Sequence, residues 1–596
     1  MNHYLKIVLK SILLALSFVG FFYIAQVAAV QDYRIELPFL LINLTLFTMI
    51  ILAALSLPGH SWLYLTLCGL LLWLPTVVVT SYIFIYKNFF NVNTFYFVWE
   101  TNTAEALEFI EDCLKRFPPL PAWIALCTFA PPASAWFLMK DAREAREKIS
   151  LRYRWDLFVL FSLLTVAFAW TTGVFDYNYA AQFYISNAKY RIEIRNAIHV
   201  SDTAKTQVME EGLKPAYGQD IKETYVIVIG ESAARRHWGL YGYSRPTTPL
   251  MQKRVTDGDA LTFDNVNSTY TATTASLLFS LTLTDSAESK QELHYSIVDL
   301  FNGAGFNTYW FSNNAVLRRF DTLLETLSRN ADTRRFSDHT DADVQSMQDD
   351  GTPDKVKGAE LTDDSILLPW LRKALNDTSP KKAIFLHLKG SHARYQYRYP
   401  ASFDHFKDAR GIENPNVSDD LKKIDIVNAY DNSIRYTDFI LDEIIRQTES
   451  AGGRAWVLYF SDHGEDVYDF NPDDYGRGTE NISKYSLDVP FVIWFSEEYR
   501  RERDISRFGG YRNRPFCLDD TVHAILDIAG LKMRLYDPTI DPFSETWRMR
   551  PRVAMQHLYI NIPPIEQTDT YLQEAELGYN ALAEALLEMS VDITEQ

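Results

Sequence analysis

Several short polar groups in the C-terminal two-thirds of the chain carry the residue types that bind metal ions and phosphate. Gly230-Glu231-Ser232 follows an apolar run at 225–229, and Ser461-Asp462-His463-Gly464-Glu465 follows another at 454–460. Gly390-Ser391-His392 follows the run at 383–388, and Asn313 and Asn314 follow 308–311. Carboxylate and imidazole are ligands that zinc or manganese accepts. Adjacent side chains on a strand point to opposite faces, but on the turn just past its end Asp462 and His463 can both reach one ion. A further stretch, 268–278, puts serine and threonine hydroxyls just ahead of an apolar helical run. A threonine at a helix N-terminus meets unpaired N–H groups and the positive end of the dipole, which favour an alkoxide and an attached phosphate. A metal ion lowers the hydroxyl pKa further. Plain helix capping is the competing use of such residues.

The elements that must position these groups are legible as runs. Hydrophobicity at 225–229, 308–311, 383–388, 454–460 and 489–494 is continuous rather than alternating, which predicts strands buried on both faces of a mostly parallel α/β sheet. In such sheets ligands bind at the carboxyl ends of strands, where the polar groups stand. Residues 332–364, rich in Asp, Thr and Gly, read as a mobile surface loop, and 571–589 as one amphipathic helix.

The first 175 residues differ. Runs without charge at 11–30, 37–57, 61–86, 120–139 and 157–174 are each about the 20 residues that cross a bilayer as a helix. The first is too long for a secretory leader and is followed by four more. Pro75, Pro131 and Pro132 should kink or break two of these helices. Lys140, Arg143, Arg146, Lys148, Arg152 and Arg154 keep the 140–154 segment cytoplasmic, and Lys6 and Lys10 put the N-terminus on that side. Five crossings then carry everything after residue 174 across the membrane. The expected organisation is a five-helix transmembrane domain at 1–175, an amphipathic connecting segment at 176–222, a catalytic domain at 223–545 and a helical C-terminal extension at 546–596. A net charge of −18 argues against a nucleic-acid partner. The four cysteines, Cys68, Cys113, Cys127 and Cys517, show no CxxC spacing, which argues against a thiolate zinc site or a disulfide framework.

Taken in order, "YVIVIGESAARRHWGLYGYSRPTTPLM", "STYTATTASL", "LHLKGSHARYQYRYP", "SDHGEDVYD" and "SLDVPFVIW" resemble the phosphoethanolamine transferases, membrane-anchored members of the alkaline phosphatase/sulfatase superfamily. The resemblance implies a soluble α/β domain of that type, facing the periplasm from a multi-pass anchor in a bacterial inner membrane. It implies Glu231, Asp462 and His463 as metal ligands, with Thr273 as both nucleophile and fourth ligand and Thr271 as its partner in a Thr-x-Thr pair. His392 matches the site histidine of a Gly-Ser-His motif. Asn314 and Glu465 match substrate-contacting positions, and Arg318 stands where lipid A enzymes carry a lysine. One Zn²⁺ is expected, Mn²⁺ is the alternative, and a second ion is left open. The implied donor is phosphatidylethanolamine and the implied acceptor an envelope glycolipid or glycan: lipopolysaccharide core, lipid A or periplasmic glucan.

Two departures bear on the acceptor. Thr269 and Phe279 occupy positions where lipid A enzymes have paired cysteines, and Asp473, Asp474 and Arg477 stand near the point where those enzymes place a further histidine. The same architecture serves glycerophosphate transferases of the lipoteichoic acid synthase type, and an inactive envelope receptor or assembly factor is a third reading.

Overall fold

The computed structural model describes residues 37–56, 150–171, 178–210, 221–285, 295–314, 323–337, 363–417, 420–472, 475–476, 483–550, 552–554 and 557–559, with scattered positions at 213 and before residue 130. The continuous apolar runs become strands of one seven-stranded sheet. In chain order these are β1 (Glu223–Gly230), β2 (Ala260–Thr262), β3 (Asn307–Ser312), β4 (Thr333–Phe336), β5 (Lys381–His387), β6 (Arg454–Ser461) and β7 (Phe491–Phe495). Their spatial order is β2-β7-β6-β1-β5-β3-β4. β6, β1, β5, β3 and β4 are parallel to one another, and β7 runs antiparallel between β6 and β2.

The absence of alternation in β1 has a direct cause, because both faces are covered. Tyr225, Ile227 and Ile229 join Phe385, Trp456 and Leu458 in one core. Val226 and Val228 join Ile384, Leu386, Val457 and Tyr459 in the other. Each aliphatic side chain buried this way contributes about 1.5–3 kcal/mol, so a polar residue inside these strands is strongly disfavoured. Chemistry is therefore displaced to their ends.

Of the five predicted spans, two fall on described helices, α1 (Leu37–Ser56) and α2 (Leu151–Thr171), which pack on each other. The remaining three lie largely outside the described residues. Among the described residues one helix, Arg152–Thr171, is long and apolar enough to cross a membrane, and Leu40–Ala54 is a shorter apolar stretch. On α2, Val159, Leu163, Val166 and Trp170 are all exposed, a surface suited to hydrocarbon and costly in water.

The connecting segment is a 32-residue helix, α3 (Tyr179–Glu210). At its start, buried Asn178 donates from Nδ2 to Asn43 Oδ1 on α1 (2.8 Å). Toward its end it packs on helices Ile297–Gly303 and Leu323–Ser328, and Asn330 Nδ2 donates to the Ser201 carbonyl (2.8 Å). A Cβ on Gly303 would overlap Val208 of α3, so glycine permits this close approach.

Two expectations need correction. The 332–364 segment is not loop throughout: Thr333–Phe336 forms the parallel edge strand β4, while 338–362 lie outside the described residues. The 546–596 extension begins as an antiparallel pair, Arg552–Ala554 with His557–Tyr559, not as helix. The predicted helix at 571–589 lies outside the described residues.

Candidate active site

β1 and β6 are neighbours in register, Gly230 opposite Ser461, so the residues that follow them emerge side by side. Glu231 leaves β1, and Asp462 and His463 leave β6. Ser232 then takes a left-handed conformation (φ 56°), unusual for a residue with a side chain. This turn lets Ser232 touch both strand ends. Its N–H donates to Asp462 Oδ1 (3.1 Å) and its hydroxyl to Glu231 Oε1 (2.8 Å). The His463 N–H also donates to Asp462 Oδ1 (2.8 Å). His463 Nδ1 is 2.7 Å from the Gly464 carbonyl and therefore carries a hydrogen, leaving Nε2 as the nitrogen that faces Glu231 Oε1 and Asp462 Oδ2, each at 3.3 Å.

One ligand atom from each of Glu231, Asp462 and His463 lies within 4.8 Å of the other two, and all three residues are buried. Thr273 is the first residue of α4 (Thr273–Ser280), and the capping position before it is Ala272, which supplies no side-chain cap. The Thr273 hydroxyl donates to Glu231 Oε2 at 2.9 Å.

This donor set fits a divalent cation. Two carboxylates and an imidazole crowd one buried space, which is unfavourable without added positive charge. Carboxylate oxygen with imidazole nitrogen is a combination zinc takes readily.

The other predicted residues are distributed around this point. Thr271 is buried two residues before Thr273. His392 lies on the turn after β5. Gly390 in that turn has φ +52°, and a Cβ there would stand 2.7 Å from the Glu231 carbonyl. The Ser391 N–H donates to the same carbonyl (2.9 Å), so the His392 loop is seated directly on the Glu231 backbone. Asn314, after β3, donates to the Leu388 carbonyl (3.0 Å). Glu465 is buried and accepts from the Tyr395 hydroxyl (2.8 Å). The mutually close ligand atoms include neither His392 nor Glu465. Arg318, Asp473, Asp474 and Arg477 lie outside the described residues.

Other supporting residues escaped the sequence reading. Buried Asp364 accepts from Asn313 Nδ2 (2.8 Å) and from the Lys389 and Gly390 N–H groups (2.7 and 2.9 Å). It thereby ties the β3 end to the His392 loop, and burial raises its pKa. Burial holds His387, at the end of β5, down to about 4, so its imidazole is neutral. His237 lies between Asp431 (Nδ1, 2.8 Å) and Asp469 (Nε2, 3.0 Å). Burial opposes its charge, but the Asp469 charge and hydrogen bonds to both carboxylates outweigh that and raise it to about 10. His237 and Asp469 stand inside two of the motifs quoted above and Asp431 on the helix α5 (Leu421–Ala451), but nothing in their order names them as partners.

The sulfatase family model matches residues 223–531, more than half of the chain. The chain belongs to the sulfatase family. Among the relatives of this sulfatase-family chain, phosphoethanolamine transferase EptC of Escherichia coli is 28% identical over 506 residues, 80% of this chain and 83% of that protein. The periplasmic domain of EptC from Escherichia coli, solved in complex with zinc, is 29% identical with a TM-score of 0.51, covering 57% of this chain and 92% of that one. The integral membrane lipooligosaccharide phosphoethanolamine transferase A of Neisseria meningitidis matches in fold over 89% of this chain and 97% of its own, with a TM-score of 0.61 at 21% identity. The family resemblance and the transferase class read from the motifs are borne out, as is the mostly parallel α/β fold read from the continuous apolar runs.

Proposed function

We propose that this chain is a membrane-anchored phosphoethanolamine transferase, moving phosphoethanolamine from phosphatidylethanolamine to a cell-envelope acceptor through a covalent intermediate on Thr273. The observation that carries the reading is the Thr273 hydroxyl on Glu231, beside Asp462 and His463. Glu231, Asp462 and His463 would hold one zinc ion, with Thr273 as the fourth ligand. When bound, zinc supplies Lewis acidity that lowers the pKa of a hydroxyl beside it.

Thr273 Oγ1 attacks the phosphorus of the donor lipid as its proton passes to Glu231 Oε2, and the bond to the diacylglycerol oxygen breaks. His392 is the candidate to protonate that departing oxygen. An acceptor hydroxyl then gives its proton to His392 and attacks the same phosphorus, the bond from Thr273 Oγ1 to phosphorus breaks, and Glu231 Oε2 returns the proton to Thr273. Glu465 offers a carboxylate for the ethanolamine ammonium. The Tyr395, Tyr468 and Tyr475 rings lie nearby, with Tyr475 centred 6.2 Å from Tyr395 and 5.4 Å from Tyr468. Thr271, Asn314 and Arg318 complete the substrate contacts. A five-helix anchor in the bacterial inner membrane, with the catalytic domain in the periplasm, keeps Thr273 near its lipid donor and raises the local donor concentration. Lipopolysaccharide core, lipid A and periplasmic glucan are the acceptor classes.

The test is mass spectrometry of the Thr273 peptide after incubation with phosphatidylethanolamine or phosphatidylglycerol. A phosphoethanolamine adduct only with the former is expected. A glycerophosphate adduct would reassign the donor, and no adduct together with no lipid cleavage would favour an inactive receptor.

A further inference from the structure

Glu231, Asp462 and His463 are fixed by strand ends, whereas Thr273 arrives on a separate helix of eight residues. Something must hold that helix in register, and no disulfide in the described residues does so, since buried Cys517 is a free thiol. Ser276 lies one turn beyond Thr273, on the same side of α4. Its hydroxyl donates to the backbone carbonyl of Asp462. Ser268, before the helix, brings its Oγ to 2.5 Å from the same carbonyl and 2.9 Å from Ser276 Oγ. Both serines are fully buried. With two protons between them, Ser276 can donate to the carbonyl while Ser268 donates to Ser276, to the carbonyl or to the Tyr270 carbonyl (2.7 Å). The backbone of a metal-ligating residue is thus gripped from both flanks of the Thr273 segment.

A second contact closes the same segment. Tyr270 and Phe279, three residues before and six after Thr273, stack with centroids 5.4 Å apart and planes 4° from parallel. With Ala275 they form a small buried cluster of their own.

We infer that Ser268 and Ser276, aided by the Tyr270–Phe279 stack, are positioning residues that register the nucleophile helix on the Asp462–His463 turn. This rests on Thr273 being the nucleophile. A misplacement of about 1 Å at a reacting centre costs about 10²-fold in rate, and these contacts set that distance without a covalent cross-link.

The experiment uses the full chain purified in detergent with zinc. It measures single-turnover formation of the Thr273 adduct from phosphatidylethanolamine, steady-state kcat and KM, bound zinc and the thermal midpoint. For Ser268→Ala/Ser276→Ala, adduct formation and kcat should fall about 10- to 100-fold, with KM within about twofold and zinc content unchanged. Ser276→Thr, which keeps the hydroxyl, should restore most of the rate, and Phe279→Leu, which keeps apolar bulk but loses the ring, should cost several-fold. If the double variant folds poorly, Ser276→Ala alone, with rates normalised to zinc-loaded protein, gives the same comparison. A wild-type rate in the serine variants, or a loss that only tracks lost zinc, overturns the inference. Thr273→Ala run in parallel separates the two readings: an adduct that persists there overturns the nucleophile assignment whatever the serines do.

Discussion

The two edges of the central sheet treat buried charge in opposite ways. At the amino edge, Lys381 Nζ is 2.9 Å from Glu223 Oε2, and Tyr225 donates its hydroxyl to the same carboxylate (3.0 Å). Arg454 pairs with Glu502 (2.6 Å) and lies over the Tyr499 ring. At the carboxyl edge, Glu231 and Asp462 crowd each other and His463. Two of the buried histidines, His237 and His463, repeat the contrast. His237 has a carboxylate on each ring nitrogen and holds its own charge, whereas His463 gives one nitrogen to a carbonyl and turns the other toward both acids. An edge that neutralises itself needs no ligand. One that gathers two acids around an imidazole is arranged for a cation from outside.

The largest break in that comparison is Thr273→Ala. Transfer from phosphatidylethanolamine should drop by at least about 10³-fold while zinc stays bound, as lipid chromatography and metal analysis would report. Asp462→Asn should lose zinc and transfer together, yet the metal-free variant should melt no lower than metal-free wild type, because the substitution relieves acid–acid crowding. A clear drop in its melting temperature would put both edges in one class. Lys381→Met should do the reverse, leaving Glu223 buried and unpaired at a cost of about 3–5 kcal/mol in urea unfolding, with zinc content intact.

A smaller effect is a pH dependence. His237 has its folded-state value at about 10, above the usual 6.5, so its stabilising contribution is complete below about pH 6.5 and is lost as pH rises through 10. Stability of the wild type should therefore decline between pH 7 and 10.5, and His237→Gln should flatten that slope. Equal slopes would remove the charged-histidine account.

What the sequence disclosed follows from what local pattern encodes. β1, β5 and β6 were legible because double-sided burial forces unbroken apolar runs, and their polar sequels stood out against them. Asp462 and His463 were legible because adjacency past a strand is rare without cause. β4 was missed because Thr333–Phe336 is a short edge strand carrying Arg334 and Arg335, which reads as loop. The tie of His237 to Asp431 and Asp469 joins residues up to 232 positions apart, which no local window reports. Among the hydroxyls at 268–278, spacing alone left the nucleophile open. In the structure the Thr273 hydroxyl turns to Glu231, whereas those of Ser268 and Ser276 turn to the Asp462 backbone.

The long α3 helix joins Asn43 at one end to the catalytic lobe at the other. Its 32 residues make a rod about 48 Å long, in which each added residue lengthens the rod by about 1.5 Å and swings whatever is docked beyond it through about 100°. A single insertion near its middle should therefore disable the enzyme through misdirection alone, with every side chain of the reactive pocket intact. The height and heading of the catalytic lobe over α1 are in this sense counted out in whole residues.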